Sequence, residues 1–223
     1  MLELQEEVKW LESGDHWDRI IDVGLDVERP ILTSMPCFGV RARMALRKPR
    51  GCQTTHDVGE AHGVWMPNIN GGDQTITGED LVSSTASISF DAGKLMEAVN
   101  KLRCGDGLYW FDKSPFYSCF MVTSVWIHEE VRGMDVGHRL LRDLVAPFVL
   151  QGDSMLALYP WPAETPEVDS TQNRLDSVGK LRRHWSEFGL KPLVVGSDYY
   201  GFNTALPWPK DSYMGKHGLD GRK

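Results

Sequence analysis

The sequence predicts an α/β domain, a mixed sheet flanked by helices, on three observations. Residues 38–46 alternate apolar and polar side chains. Residues 116–128 are dense in Val, Phe, Tyr and Trp and run through a glycine-bearing turn into an amphipathic stretch. From residue 107 onward the periodicities read strand, strand, helix, strand, helix, strand, strand. A chain of 223 residues holds one sizeable core and is short for two. It divides into a helical extension or first elements over 1–30, one domain over 31–206, and an aperiodic tail over 207–223 that is expected to be mobile.

Residues 1–12 fit a short helix or a first strand equally. From Asp15 to Glu28, the positions of Trp17, Ile20, Ile21, Val23 and Leu25 give a helical apolar face with Asp15 as N-cap, ended by Arg29-Pro30. Phe38, Val40, Ala42, Met44 and Leu46 then face one way and Arg41 and Arg43 the other, as in a half-buried antiparallel strand. Between Lys48 and Ser83 the Gly-, Asp-, Asn- and Thr-rich sequence reads as loops around one short strand at Val64–Met66, an insertion or substrate-facing flap. Ser89–Arg103 is helical, with Leu95, Met96, Val99 and Leu102 on one side.

Two strands follow, Gly107–Phe111 and Phe116–His128, and then a helix from Val136 to Leu150. A strand at Met155–Tyr159, a Pro-rich loop and a helix from Asn173 to Phe188 come next. The apolar stripe of that helix is Leu175, Val178, Leu181, Trp185 and Phe188. Strands at Pro192–Val195 and Tyr199–Ala205 close the domain.

Composition excludes several classes of function. With 31 acidic against 24 basic residues, the net charge of −7 argues against nucleic acid as partner, which needs a basic face to displace counterions. The four cysteines form no C-x-x-C and have no His at metal-finger spacing, so they read as reduced thiols and no metal is expected. His56 and His62, near Asp57 and Glu60, lack the spacing of a metal helix and read as loop residues. The acidic N-terminus lacks signal-peptide order and no apolar run reaches membrane-span length, so a cytoplasmic protein without a membrane partner is expected.

The chemistry concentrates at residues 122–141. A strand feeds a turn holding Gly133 and Gly137, and the turn opens a helix. Backbone N–H groups of such a turn converge with the helix's positive end, which suits a pyrophosphate. Val125-Trp126-Ile127 followed by Arg132-Gly133-Met134-Asp135-Val136-Gly137 resembles the cofactor motif of the GNAT family of N-acetyltransferases, an apolar strand end followed by Arg/Gln-x-x-Gly-x-Gly/Ala. His184-Trp185-Ser186-Glu187-Phe188-Gly189-Leu190 similarly resembles that family's Tyr-x-x-x-Gly-Phe close of the last helix. The resemblance covers residues 107–206.

It implies a GNAT-like mixed, mostly antiparallel sheet, and acetyl-CoA as co-substrate held by Val125, Trp126, Ile127, Arg132, Gly133, Met134, Asp135, Val136, Gly137 and His138. It further implies direct acetyl transfer to a small-molecule or peptide amine. Two departures weigh against catalysis and leave a catalytically inactive binding or assembly module as the alternative. Asp135 replaces the motif's middle glycine and puts a carboxylate near the phosphates. Trp185 stands where the family often places the Tyr that protonates the departing thiolate, a task beyond an indole N–H. Tyr159, ending the next strand, is the candidate proton donor, though a half-buried strand Tyr needs no such role. His128, Glu129 and Glu130 offer acid–base groups at a strand end but read better as a solvated run before the turn.

Overall fold

A computed structural model of the chain describes residues 21–30, 37–47, 55–69, 77–103, 116–133, 136–149, 154–160, 171–194 and 196–203. The strands are β1 (Ile21–Pro30), β2 (Phe38–Arg47), β3 (Thr55–Met66), β4 (Ser118–Ile127), β5 (Ser154–Leu158), β6 (Lys191–Pro192) and β7 (Tyr200–Asn203). The helices are α1 (Gly78–Ala86), α2 (Phe90–Arg103), α3 (Val136–Val149) and α4 (Thr171–Glu187). All seven strands join one sheet in the order β1-β2-β3-β4-β5-β7-β6. Only β4 and β5 pair in parallel, and every other neighbouring pair is antiparallel. A parallel pair needs a crossover, and α3 supplies it. The result is the expected fold class, a mixed, mostly antiparallel sheet flanked by helices.

Each face of the sheet buries its own core. On one face Leu140, Leu141 and Leu144 of α3 and Trp185 of α4 pack on Val40, Ala42, Met44, Phe120 and Val122. On the other, Leu81 of α1 and Leu95, Met96 and Val99 of α2 pack on Val64, Met66, Cys119, Met121, Met155 and Ala157. The alternation at residues 38–46 is realised as β2, with Val40, Ala42 and Met44 buried and Arg43 exposed. In α4, Val178 and Trp185 are buried, but Leu175 is 60% exposed and leaves the expected stripe.

Three expectations are corrected. The helix expected over Asp15–Glu28 is contradicted, because Ile21–Pro30 is an antiparallel strand whose register runs from Ile21↔Leu46 to Val27↔Val40. Ile21, Val23, Leu25 and Val27 fit a period of two as well as a helical face, and pairing with β2 decides between them. The region read as loops around one short strand holds the 12-residue β3 and the helix α1. The central strand β3 buries small residues such as Gly59, Ala61 and Gly63, so it carries no apolar run to announce it. The start of α1 is marked by a capping box, in which Thr77 accepts from the Asp80 N–H (3.2 Å) and Asp80 from the Thr77 N–H (3.0 Å). Of the closing strands, Lys191–Pro192 leaves out Leu193 and Val194 and Tyr200–Asn203 leaves out Tyr199, and the two are turned near Gly196 at φ +74°. The expectations for residues 1–20, Gly107–Phe111, Leu150, the Pro-rich loop over 161–170, Val195, residues 204–205 and the 207–223 tail lie outside the described residues.

Candidate functional site

The site starts from a fault in β4. Its parallel pairing with β5 runs from Ser118↔Ser154 to Val122↔Leu158 and ends there, while β4 continues to Ile127. At the same point the register with β3 passes from Val122↔Gly63 to Ser124↔His62, leaving Thr123 as an extra residue. Such a bulge bends a strand and raises its local twist, and beyond it β4 has no pairing with β5. It also inverts the alternation. Phe120 and Val122 face α3 before the bulge, and Val125 and Ile127 do so after it. Ser124 and Trp126 thereby turn to the opposite face.

After β4, His128 accepts the Glu130 N–H on Nδ1 (3.3 Å) and caps one 3-10 turn, Glu129–Val131. His128 and its acidic neighbours thus shape the turn, as the solvated-run reading expects. The Arg132 Nε–H donates to the Ile127 carbonyl (2.9 Å) and ties the turn back to the strand. Gly133 sits at φ +84°, where a side chain would be strained. Val136, Gly137 and His138 open α3, whose first N–H groups have no partner within their own helix. A Cβ on Gly137 would stand at ordinary contact distance from Ile127 Cγ1 (3.7 Å) and His184 Nε2 (3.9 Å), between the end of β4 and α4. The strand end Val125–Ile127 and Arg132, Gly133, Val136, Gly137 and His138 are therefore brought together. Met134 and Asp135 lie outside the described residues.

His138 fixes α3 to α4. Its ring stacks on His184 (3.8 Å between centroids) and Phe188 (4.8 Å), and its Nε2–H donates to the His184 carbonyl (3.3 Å). Burial first, and then the neighbouring His184, push His138 down from 6.5 to about 4. Between those values the unfolded chain takes up a proton that the folded chain refuses. Stability present above pH 6.5 is therefore lost as pH falls toward 4, by up to on the order of 3 kcal/mol. Urea titrations at pH 7 and pH 4.5 should show this loss in the wild type and a smaller one in His138→Phe. Equal losses would assign the pH dependence to other groups.

Tyr159 follows β5 directly and shares the face of Met155 and Ala157, opposite α3. Its ring meets Tyr199 at 5.1 Å. Burial, then the carboxylate of Asp198, holds its phenol above the usual value, so it stays protonated and able to donate. The same face carries residues that the loop reading misplaced. Glu60 and His62 stand on β3 across from Trp126 and Ser124, and Arg41 of β2 bonds Glu60. The alternating polar residues of Glu60-Ala61-His62 were the available signal. Trp185 is 6% exposed and sits edge-on to His138 and His184, inside the core. Among the described residues no group of three or more His, Cys, Asp or Glu is placed to hold a metal. No helix there is long and apolar enough to cross a membrane.

No protein-family model matches the chain, and no curated protein matches it. Among solved structures it is similar to the apo form of an agmatine N-acetyltransferase mutant, with a TM-score of 0.33 and 11% identity, over 74% of this chain and 75% of that one. That likeness is too distant to assign this chain a fold family or a substrate.

Proposed function

We propose that this chain is a cytoplasmic N-acetyltransferase that moves the acetyl group of acetyl-CoA directly to the amine of a small molecule or peptide. The observation that carries the reading is the end of the β4–β5 pairing at the Thr123 bulge, leading into the Gly133 turn and α3. A strand end without a β5 partner offers backbone groups to an amide-bearing pantetheine arm, here at Val125 and Ile127. The first N–H groups of α3, at Val136, Gly137 and His138, have no partner within their own helix and suit a pyrophosphate. Arg132, exposed beside that turn, adds positive charge. Tyr159, neutral and across the opening from Ser124 and Trp126, protonates the departing sulfur.

Thermal shift with acetyl-CoA and CoA tests binding, since a ligand that binds only the native state raises its melting temperature. No shift with either would sink the proposal. For the chemistry, Tyr159→Phe should lower kcat by about 10²-fold and leave the acetyl-CoA Kd unchanged. Full activity in that variant would remove Tyr159 from the mechanism. The core position of Trp185, where the resembling family often has a proton-donating Tyr, favours a second reading as a catalytically inactive acyl-CoA-binding or assembly module. CoA binding without thiol release from any amine would decide for it.

A further inference from the structure

Acyl transfer to an amine needs a group that takes the ammonium proton, and the sheet face opposite α3 carries one ready for the task. The α3 side is filled by α3 and α4. An acceptor must therefore approach the opening between β4 and β5 from the other face. There α1 and α2 cover Val64, Met66, Cys119 and Met121. Glu60, His62, Ser124 and Trp126, further along β3 and β4 on that face, join neither buried cluster, and Ser124 is exposed. His62 has a side chain 46% exposed and is the direct cross-strand partner of Ser124. Facing side chains in such a pair have Cβ atoms about 5 Å apart. The imidazole therefore stands one strand from the free edge of β4, within reach of an acceptor directly or through one water.

Its surroundings form a relay. His62 Nε2 lies 2.9 Å from Glu60 Oε1, and a carboxylate only accepts, so Nε2 carries the hydrogen and Nδ1 keeps its lone pair. Arg41, across from His62 on β2, holds Glu60 in turn. That hydrogen bond keeps the Glu60 carboxyl below its usual range and ionised. Among the described residues the other charged groups facing the relay are Arg43 on β2 and Asp26 and Glu28 on β1, while β4 presents the neutral Ser124 and Trp126.

We propose that His62 is the general base of this acyl transfer, with Glu60 and Arg41 as positioning residues that fix its tautomer. The inference rests on the acetyltransferase reading above. In the step, the acceptor ammonium gives one proton to His62 Nδ1. The freed nitrogen lone pair attacks the acetyl carbonyl carbon and forms the N–C bond. Collapse breaks the C–S bond, and the second nitrogen proton goes to the sulfur by way of Tyr159. CoA leaves as the thiol, and His62 returns its proton to solvent.

The test uses the full chain with acetyl-CoA and four acceptors: spermidine, lysine, kanamycin and a lysine-bearing peptide. His62→Gln should lower kcat by about 10²- to 10⁴-fold with the acetyl-CoA Kd unchanged, and should erase the acid limb of the kcat/KM profile. Glu60→Gln should lower kcat alone, and adding it to His62→Gln should cost nothing further, since the two act as a unit. A wild-type acid limb and turnover retained in His62→Gln would overturn the base assignment while leaving the acetyltransferase reading intact. Absence of thiol release from wild type with all four acceptors would overturn both.

Discussion

Gly137→Glu should abolish the proposed binding of acetyl-CoA and CoA while the far-UV circular dichroism stays that of the wild type. The expectation comes from where a side chain at 137 would go. Its Cβ meets Ile127 and His184 only at 3.7 and 3.9 Å, ordinary contact distances, so the helix backbone tolerates it. Everything beyond the Cβ extends between the end of β4 and α4 beside the turn, and a carboxylate there repels a pyrophosphate. The same carboxylate sits favourably at the helix's positive end, so folding is not the casualty. Alanine at 137 is the control and should cost little affinity. Isothermal titration decides the matter: unchanged affinity in the glutamate variant would reduce the turn to a helix cap.

Phe120→Ala should be the most damaging single change to stability, at about 3–5 kcal/mol by urea denaturation. The ring is fully buried and packs with Phe148 (5.3 Å) and Trp65 (6.3 Å) between β4 and α3. It also lies flush on β3, where a Cβ on Gly63 would meet it at 2.3 Å. Backbone bounds the vacated space on that side, so the cavity cannot collapse to offset the loss. Phe120 lies just ahead of the bulge, and acetyl-CoA affinity should therefore fall along with stability. A loss under about 1 kcal/mol would mean that the ring anchors neither α3 nor β4.

The C-terminal half of the fold was legible because its signals are local and redundant. Phe116–His128 is dense in strand formers, Gly133 and Gly137 punctuate the turn, and Leu140, Leu141 and Leu144 repeat on one helical face. In the N-terminal half β2 and α2 were legible from their own periodicities, but β1 and β3 were not, for two different reasons. Ile21, Val23 and Leu25 satisfy two periodicities at once, and only the partner strand β2 chooses between them. β3 is held by hydrogen bonds to both neighbours and by small residues, so its stability lies in pairing that a linear reading does not see. The site followed the same division. The turn into α3 was singled out by motif, whereas the strand placement of Glu60 and His62 was hidden with β3. Tyr159 was placed by chain order alone, and its partner Tyr199 comes from a hairpin distant in sequence.

Thr123 is the one residue of β4 that the strand can lose without changing its faces. Without it Ser124 follows Val122 directly, and plain alternation keeps Val125 and Ile127 toward α3 and Ser124 and Trp126 opposite. Losing Ser124 with the bulge kept is different, because Trp126 would turn into the α3 core and Val125 and Ile127 would turn away from it. That defect is one of phase, and no compensating side chain repairs it. In related chains position 123 should vary in type or be lost together with the bulge, while insertions and deletions from Ser124 to Ile127 stay rare.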